Sequence, residues 1–130
     1  MVYAPNIIHM VESGSVLQEK SFEFALCIIK TYKRLVETHK EYVLSKQLLK
    51  AGTSIGALIR EGAYGQSKAD FISKLSIALK EANETEYWLL LLQKSEYLDE
   101  TKANELIEAN KSLMRMLISS IKTAKNNLKK

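Results

Sequence analysis

LSKQLLKAGTSIGALIREGAYGQ (44–66) followed by SKADFISKLSIALKEANETEYWLLLL (67–92) decides the fold. Leu44, Leu48, Ile55 and Ile59 recur at helical spacing, so a helix is predicted from about Leu44 to Ala63. Tyr64-Gly65-Gln66 breaks it. Ser67-Lys-Ala-Asp70 starts the next helix with a serine cap and a carboxylate near the positive end of the helix dipole. That helix is predicted to run to about Lys94. Phe71, Leu75, Ala78, Ala82, Thr85, Leu89 and Leu92 step three and four apart along it, which is the pattern of a bundle seam.

The first of these helices carries Ala51, Gly52, Ser54, Gly56 and Ala57. Glycine inside a helix costs about 1 kcal/mol relative to alanine, so Gly52 and Gly56 need a close neighbour to explain them. Trp88 is a candidate to fill that groove. Gln47, Ser54 and Glu61 are seven apart and share one line of the helix. Spacing alone leaves open a solvated face or a polar layer within the bundle. Asp70 can pair with Lys74, and Lys80 with Glu84, one helical turn apart.

Two more helices are predicted around this pair. One runs from about Gln18 to His39, with Phe22, Ala25, Leu26, Ile29 and Val36 as its stripe and Phe24, Ile28 and Leu35 widening it. A stripe so broad suits burial on two sides, one against the bundle and the other against a second subunit. Tyr97-Leu98-Asp99-Glu100-Thr101 closes the third helix, and Asp99 or Thr101 caps a fourth that runs to about Asn127. Its seam is Leu106, Asn110, Leu113, Leu117, Ile121, Ala124 and Leu128. The expected fold is all-α, an antiparallel up-down-up-down four-helix bundle over residues 18–130, preceded by a lead-in over 1–17. Ser15 and Gln18 could form a capping box at the junction.

Composition agrees. The 130 residues include one proline, and 46% are hydrophobic, enough for one compact core. Four of the five glycines lie within 52–65, so breakers are scarce elsewhere. No apolar run approaches the ~20 residues of a membrane span. The N-terminus lacks the pattern of a signal peptide, and the single cysteine cannot form an intrachain disulfide, so the cytoplasm is the expected compartment. Cys27 lies in FALCII and reads as a small buried hydrophobe rather than a reactive thiol.

The residues suggest no catalysis, metal or cofactor. Di-iron bundles use paired Glu-x-x-His motifs, and Glu81-Ala-Asn-Glu84 has glutamate in the histidine's place. His9 stands alone, and His39 reads as a cation at a helix end. Charge is more informative. The net charge is +4, and no acidic residue follows Glu108, while Lys111, Arg115, Lys122, Lys125, Lys129 and Lys130 do. Lys111, Arg115, Lys122 and Lys129, with Lys125 just beside them, form a one-sided stripe at about 100° per residue, opposite the apolar seam. It reads either as a solvated outer face or as a contact for a phosphate backbone.

YVLSKQLLKAGTSIGALIREG (42–62) and SKADFISKLSIALKEANETEYWLLLL (67–92), supported by KSFEFALCIIKTYKRL (20–35) and IKTAKNNL (121–128), resemble the bacterial four-helix-bundle family of 23S ribosomal RNA intervening-sequence proteins. The resemblance covers the chain from about Glu19 onward. It implies a homopentameric, barrel-like assembly with a central channel. Relatives of the family serve as accessory proteins of diversity-generating retroelements, where a basic pentamer binds the reverse transcriptase and nucleic acid. The family's polar motif falls on Gln47, Gly52, Ser54, Gly56, Glu61, Ser67, Asp70, Lys74, Glu81, Glu84, Tyr87 and Trp88, with departures at Leu58 and Gly62. Set beside Lys74, that pattern favours a buried or interfacial polar network over a wet face. The expected function is that of a non-enzymatic homo-oligomer associated with RNA or DNA, or with a nucleic-acid enzyme, through its basic surface. The alternative is an adaptor ring for a protein partner without nucleic acid.

Overall fold

The computed structural model describes residues 15–128. Four helices follow in order: α1 (Val16–His39), α2 (Leu44–Ala63), α3 (Lys68–Lys94) and α4 (Glu100–Leu128). Among the described residues there is no strand. Contacts run α1 to α2, α2 to α3 and α3 to α4, and the ring of four closes through a much thinner contact between α1 and α4. The diagonal pairs do not meet. The connections are short, so sequential helices are antiparallel, which is the up-down-up-down bundle expected.

Local chemistry explains the boundaries. Lys40 ends α1 in the left-handed region at φ 55°, with its N–H donating to the Leu35 carbonyl. Val43 sits at the cap of α2 and has no side-chain acceptor. Glu41 supplies one: its carboxylate accepts from the N–H groups of Val43 (3.1 Å), Leu44 (3.0 Å) and Ser45 (2.6 Å). Burial raises the Glu41 pKa, but these backbone donors outweigh it and leave the group below its ordinary value. Ser67 caps α3 by accepting from the Asp70 N–H at 3.0 Å. Asp99 caps α4 by accepting from the Lys102 N–H at 2.8 Å. At the start of α1, Ser15 is the N-cap residue and its side chain makes no capping hydrogen bond, although Gln18 stands at the third helical position that a capping box uses.

The α3 seam is as read, with Leu75, Ala78, Ala82, Thr85, Leu89 and Leu92 buried and Phe71 half-buried. The α4 seam is buried from Leu106 to Ala124, but Leu128 is exposed. Within it Asn110 is fully buried and donates from Nδ2 to the Ala82 carbonyl at 2.7 Å, tying α4 to α3. Its Oδ1 has no partner.

The α1 stripe is corrected. Leu17, Ser21, Phe24, Ile28, Thr31 and Leu35 face the core, whereas Phe22 is 59% and Leu26 48% exposed. Cys27 is exposed, not buried, because it lies toward the thin α1/α4 seam. The filler of the small-residue groove is also corrected. A Cβ at Gly52 would lie 2.8 Å from Ile28 Cγ1, and one at Gly56 would lie 3.3 Å from Ser21 Oγ. α1, not Trp88, occupies that space, and the two glycines set how closely α1 and α2 approach.

Candidate interaction surfaces

Two surfaces hold the polar residues singled out by the sequence. The first is the outer groove between α2 and α3. A Cβ at Gly62 would lie 3.1 Å from both Lys74 Cβ and Leu75 Cδ1, which fixes the antiparallel register there. That register sets Glu61 level with Lys74, Ser54 with Glu81, and Gln47 with Trp88. At about 100° per residue these positions fall on the flanks the two helices turn toward one another. Gln47 and Glu61 are exposed, and Ser54, Asp70, Lys74, Glu81, Glu84 and Trp88 are half-buried.

Few bonds are made among them within one chain. Trp88 Nε1 donates to Glu84 at 3.4 Å, and Tyr87 meets Trp88 edge-on at 5.2 Å. The Ser54 hydroxyl donates to its own helix, to the Lys50 carbonyl. The expected Asp70–Lys74 and Lys80–Glu84 ion pairs do not form; the ion pairs among the described residues are Lys20–Glu23, Lys102–Glu105 and Lys111–Glu86. The groove is therefore a line of polar groups with unspent bonding capacity. On these flanks Asp70, Glu61, Glu81 and Glu84 outnumber the one lysine, Lys74, beside half-buried Leu58, Trp88 and Leu91 and exposed Ile77.

The second surface carries the basic stripe. Lys111, Arg115, Lys122 and Lys125 are all exposed; Lys129 lies outside the described residues, as do His9 and most of the 1–17 lead-in. The stripe is not opposite the seam, as the sequence suggested. Lys111 Nζ lies 3.9 Å from Glu86 of α3, which places the stripe along the α3/α4 groove. An open hollow of about 500 Å³ follows, floored by Leu79, Ile118 and Ile121 and rimmed by Lys122, Lys125 and Asn126. Its lining is aliphatic, with cations along one rim. Sequence reading missed Glu86 and Leu79, because a groove needs the register of two helices and one helix's periodicity does not supply it.

At the far end of the bundle, a hollow of about 880 Å³ lies between α1 and the α3–α4 turn, lined by both signs of charge, including Lys30, Arg34, Glu96, Asp99 and Lys102. His39 packs edge-on against Tyr97 there, at 6.0 Å. Among the described residues no three of His, Cys, Asp or Glu stand together as metal ligands. No described helix is long and apolar enough to cross a membrane.

Comparison with known proteins agrees with this architecture. No curated protein matches the chain. A crystal structure of a protein of unknown function from the S23 ribosomal protein family of Bacteroides thetaiotaomicron is similar at 53% identity and a TM-score of 0.82, covering 83% of this chain and 96% of that one. The family profile described as 23S rRNA-intervening sequence protein matches residues 15–119, all four helices but for the end of α4. On that match, the chain belongs to the family of 23S rRNA-intervening sequence proteins.

Proposed function

We propose that this chain acts by binding rather than catalysis, as a self-associating bundle, homopentameric as its resemblance implies, that holds nucleic acid in the basic α3/α4 groove. The carrying observation is the run of exposed Lys111, Arg115, Lys122 and Lys125 beside an apolar floor, in a helix without an acidic residue after Glu108. Cations in line release counterions from a phosphate backbone, so binding weakens steeply as salt rises.

The test is a salt titration of binding to labelled single-stranded RNA. Binding at low salt that falls linearly on a log–log plot is expected, and Arg115→Glu with Lys122→Glu should weaken it at least tenfold while leaving the assembly's mass unchanged. No binding by the natural chain at low salt overturns the reading. The second reading, an adaptor for a protein partner in a reducing compartment such as the cytoplasm, rests on exposed Phe22, Leu26, Tyr87 and Leu90. A partner captured equally well after nuclease treatment would favour it.

A further inference from the structure

We infer that Glu86 of α3 is a built-in competitor for phosphate at Lys111: it ends the cationic track of the α3/α4 groove and withholds one contact from a bound strand. This rests on the nucleic-acid reading proposed above and adds what limits that groove.

The fold sets one carboxylate of α3 against the basic stripe. Lys111 Nζ lies 3.9 Å from Glu86 Oε2, and the two side chains are 47% and 25% exposed. Leu79, Ala82 and Glu86 mark the side of α3 that faces α4. Leu79 floors the hollow with Ile118 and Ile121, and the Ala82 carbonyl accepts from Asn110. At about 100° per residue, Asp70, Glu81 and Glu84 fall on the other side of α3, toward α2. Glu86 is thus the one acidic residue of α3 on this groove. On α4 the last acidic residue is Glu108, just before Lys111. Beyond it, Arg115, Lys122 and Lys125 make no ion pair among the described residues.

Lys111 therefore differs from those three cations. A phosphate that takes Lys111 must displace Glu86, and the freed carboxylate then stands unpaired beside the ligand's own negative charge. One ion pair is exchanged for another, so the net release of counterions at this position is close to zero. A phosphate at Arg115, Lys122 or Lys125 displaces only solvent ions. The strand is held over the stretch from Arg115 to Lys125, roughly 15 Å of helix, and not over the further turn to Lys111. An ion pair as exposed as this one contributes little by itself, so it competes with phosphate without closing the groove.

Removing the carboxylate tests this, with the labelled single-stranded RNA of the salt titration and with fold and mass read by circular dichroism and light scattering. Glu86→Gln keeps the shape of the side chain and frees Lys111. It should bind up to about fivefold more tightly at low salt. Its log–log slope should be steeper by about 0.7 for each chain the strand touches, the increment of one added phosphate contact. Glu86→Ala, which shortens the same side chain, should act alike. Glu86→Gln with Lys111→Gln should return the slope to that of the natural chain. Glu105→Gln is the control: it also removes a paired carboxylate and frees a lysine of α4, Lys102, but that lysine lines the hollow beside α1, so the slope should stay as it is. An unchanged slope in Glu86→Gln and Glu86→Ala, an equal steepening in Glu105→Gln, or a slope that stays steep in the double variant overturns the role of Glu86 and leaves the groove reading standing. No binding by the natural chain at low salt overturns the groove itself.

Discussion

A methyl group placed at residue 52 tests how α1 and α2 are held together. In Gly52→Ala the new Cβ would lie 2.8 and 2.9 Å from Ile28 Cγ1 and Cγ2, and 3.2 Å from Cδ1. Carbon atoms prefer roughly 3.5–4.0 Å, so all three contacts are too short. Ile28 is fully buried and β-branched, and cannot swing aside cheaply. Overpacking of this kind costs about 1–3 kcal/mol. Alanine returns about 1 kcal/mol of helix propensity. The net expectation is a loss of up to about 2 kcal/mol, a fall in Tm of up to roughly 10 °C for a chain of this size. Gly56→Ala meets only Ser21, at 3.3 Å from Oγ, a contact relieved by a few tenths of an ångström. There propensity offsets crowding, and stability should change by less than about 1 kcal/mol. Urea denaturation followed by circular dichroism, at one fixed protein concentration, reads both. A double-mutant cycle with Ile28→Ala locates the clash: in the shortened background Gly52→Ala should become stabilising. If Gly52→Ala stabilises the natural chain, propensity alone governs the site and the close-approach argument is wrong.

Other perturbations follow from single contacts. Glu41→Gln should cost about 1 kcal/mol near neutral pH, because a charged acceptor for three backbone N–H groups becomes a neutral one. The folded-state pKa of Glu41 is depressed, so its contribution is present above the unfolded value and is lost as pH falls through the folded one; the gap between the variant and the natural chain should close as pH falls from the ordinary glutamate range through that lower value in denaturation series. Asn110→Leu removes an unpartnered buried oxygen and should leave stability unchanged or raised. Asn110→Asp should lower it by about 3 kcal/mol, with a larger loss at neutral than at acid pH. Ser67→Ala removes the α3 cap and should cost about 1 kcal/mol by thermal melts.

The elements whose interior and ends are both written in local chemistry were legible in the sequence. α2 and α3 begin and end where periodicity and Ser67 placed them, and the α3 and α4 seams were readable because each has a single buried side. α1 was misread because Phe22, Leu26 and Ile29 are as apolar as Phe24, Ile28 and Leu35. Periodicity reports two faces of one helix alike and does not say which one the bundle covers. Cys27 was misassigned for the same reason. The identity of the residue against Gly52 and Gly56 depends on helices brought together from different parts of the chain, so the glycines signal a need for closeness without naming its partner. Glu41 went unnoticed although a carboxylate just ahead of an apolar run is a readable signal. The pairing of Lys111 with Glu86 depends on an inter-helical register that no single-helix pattern contains.

α1 is docked along one edge only, since its seam with α4 is thin. It is thus the element with least to lose by detaching, while α2, α3 and α4 remain zipped by Asn110 and two full seams. Amide exchange should begin in α1, and a protease should reach the turn around Lys40 sooner than the turn around Gly65.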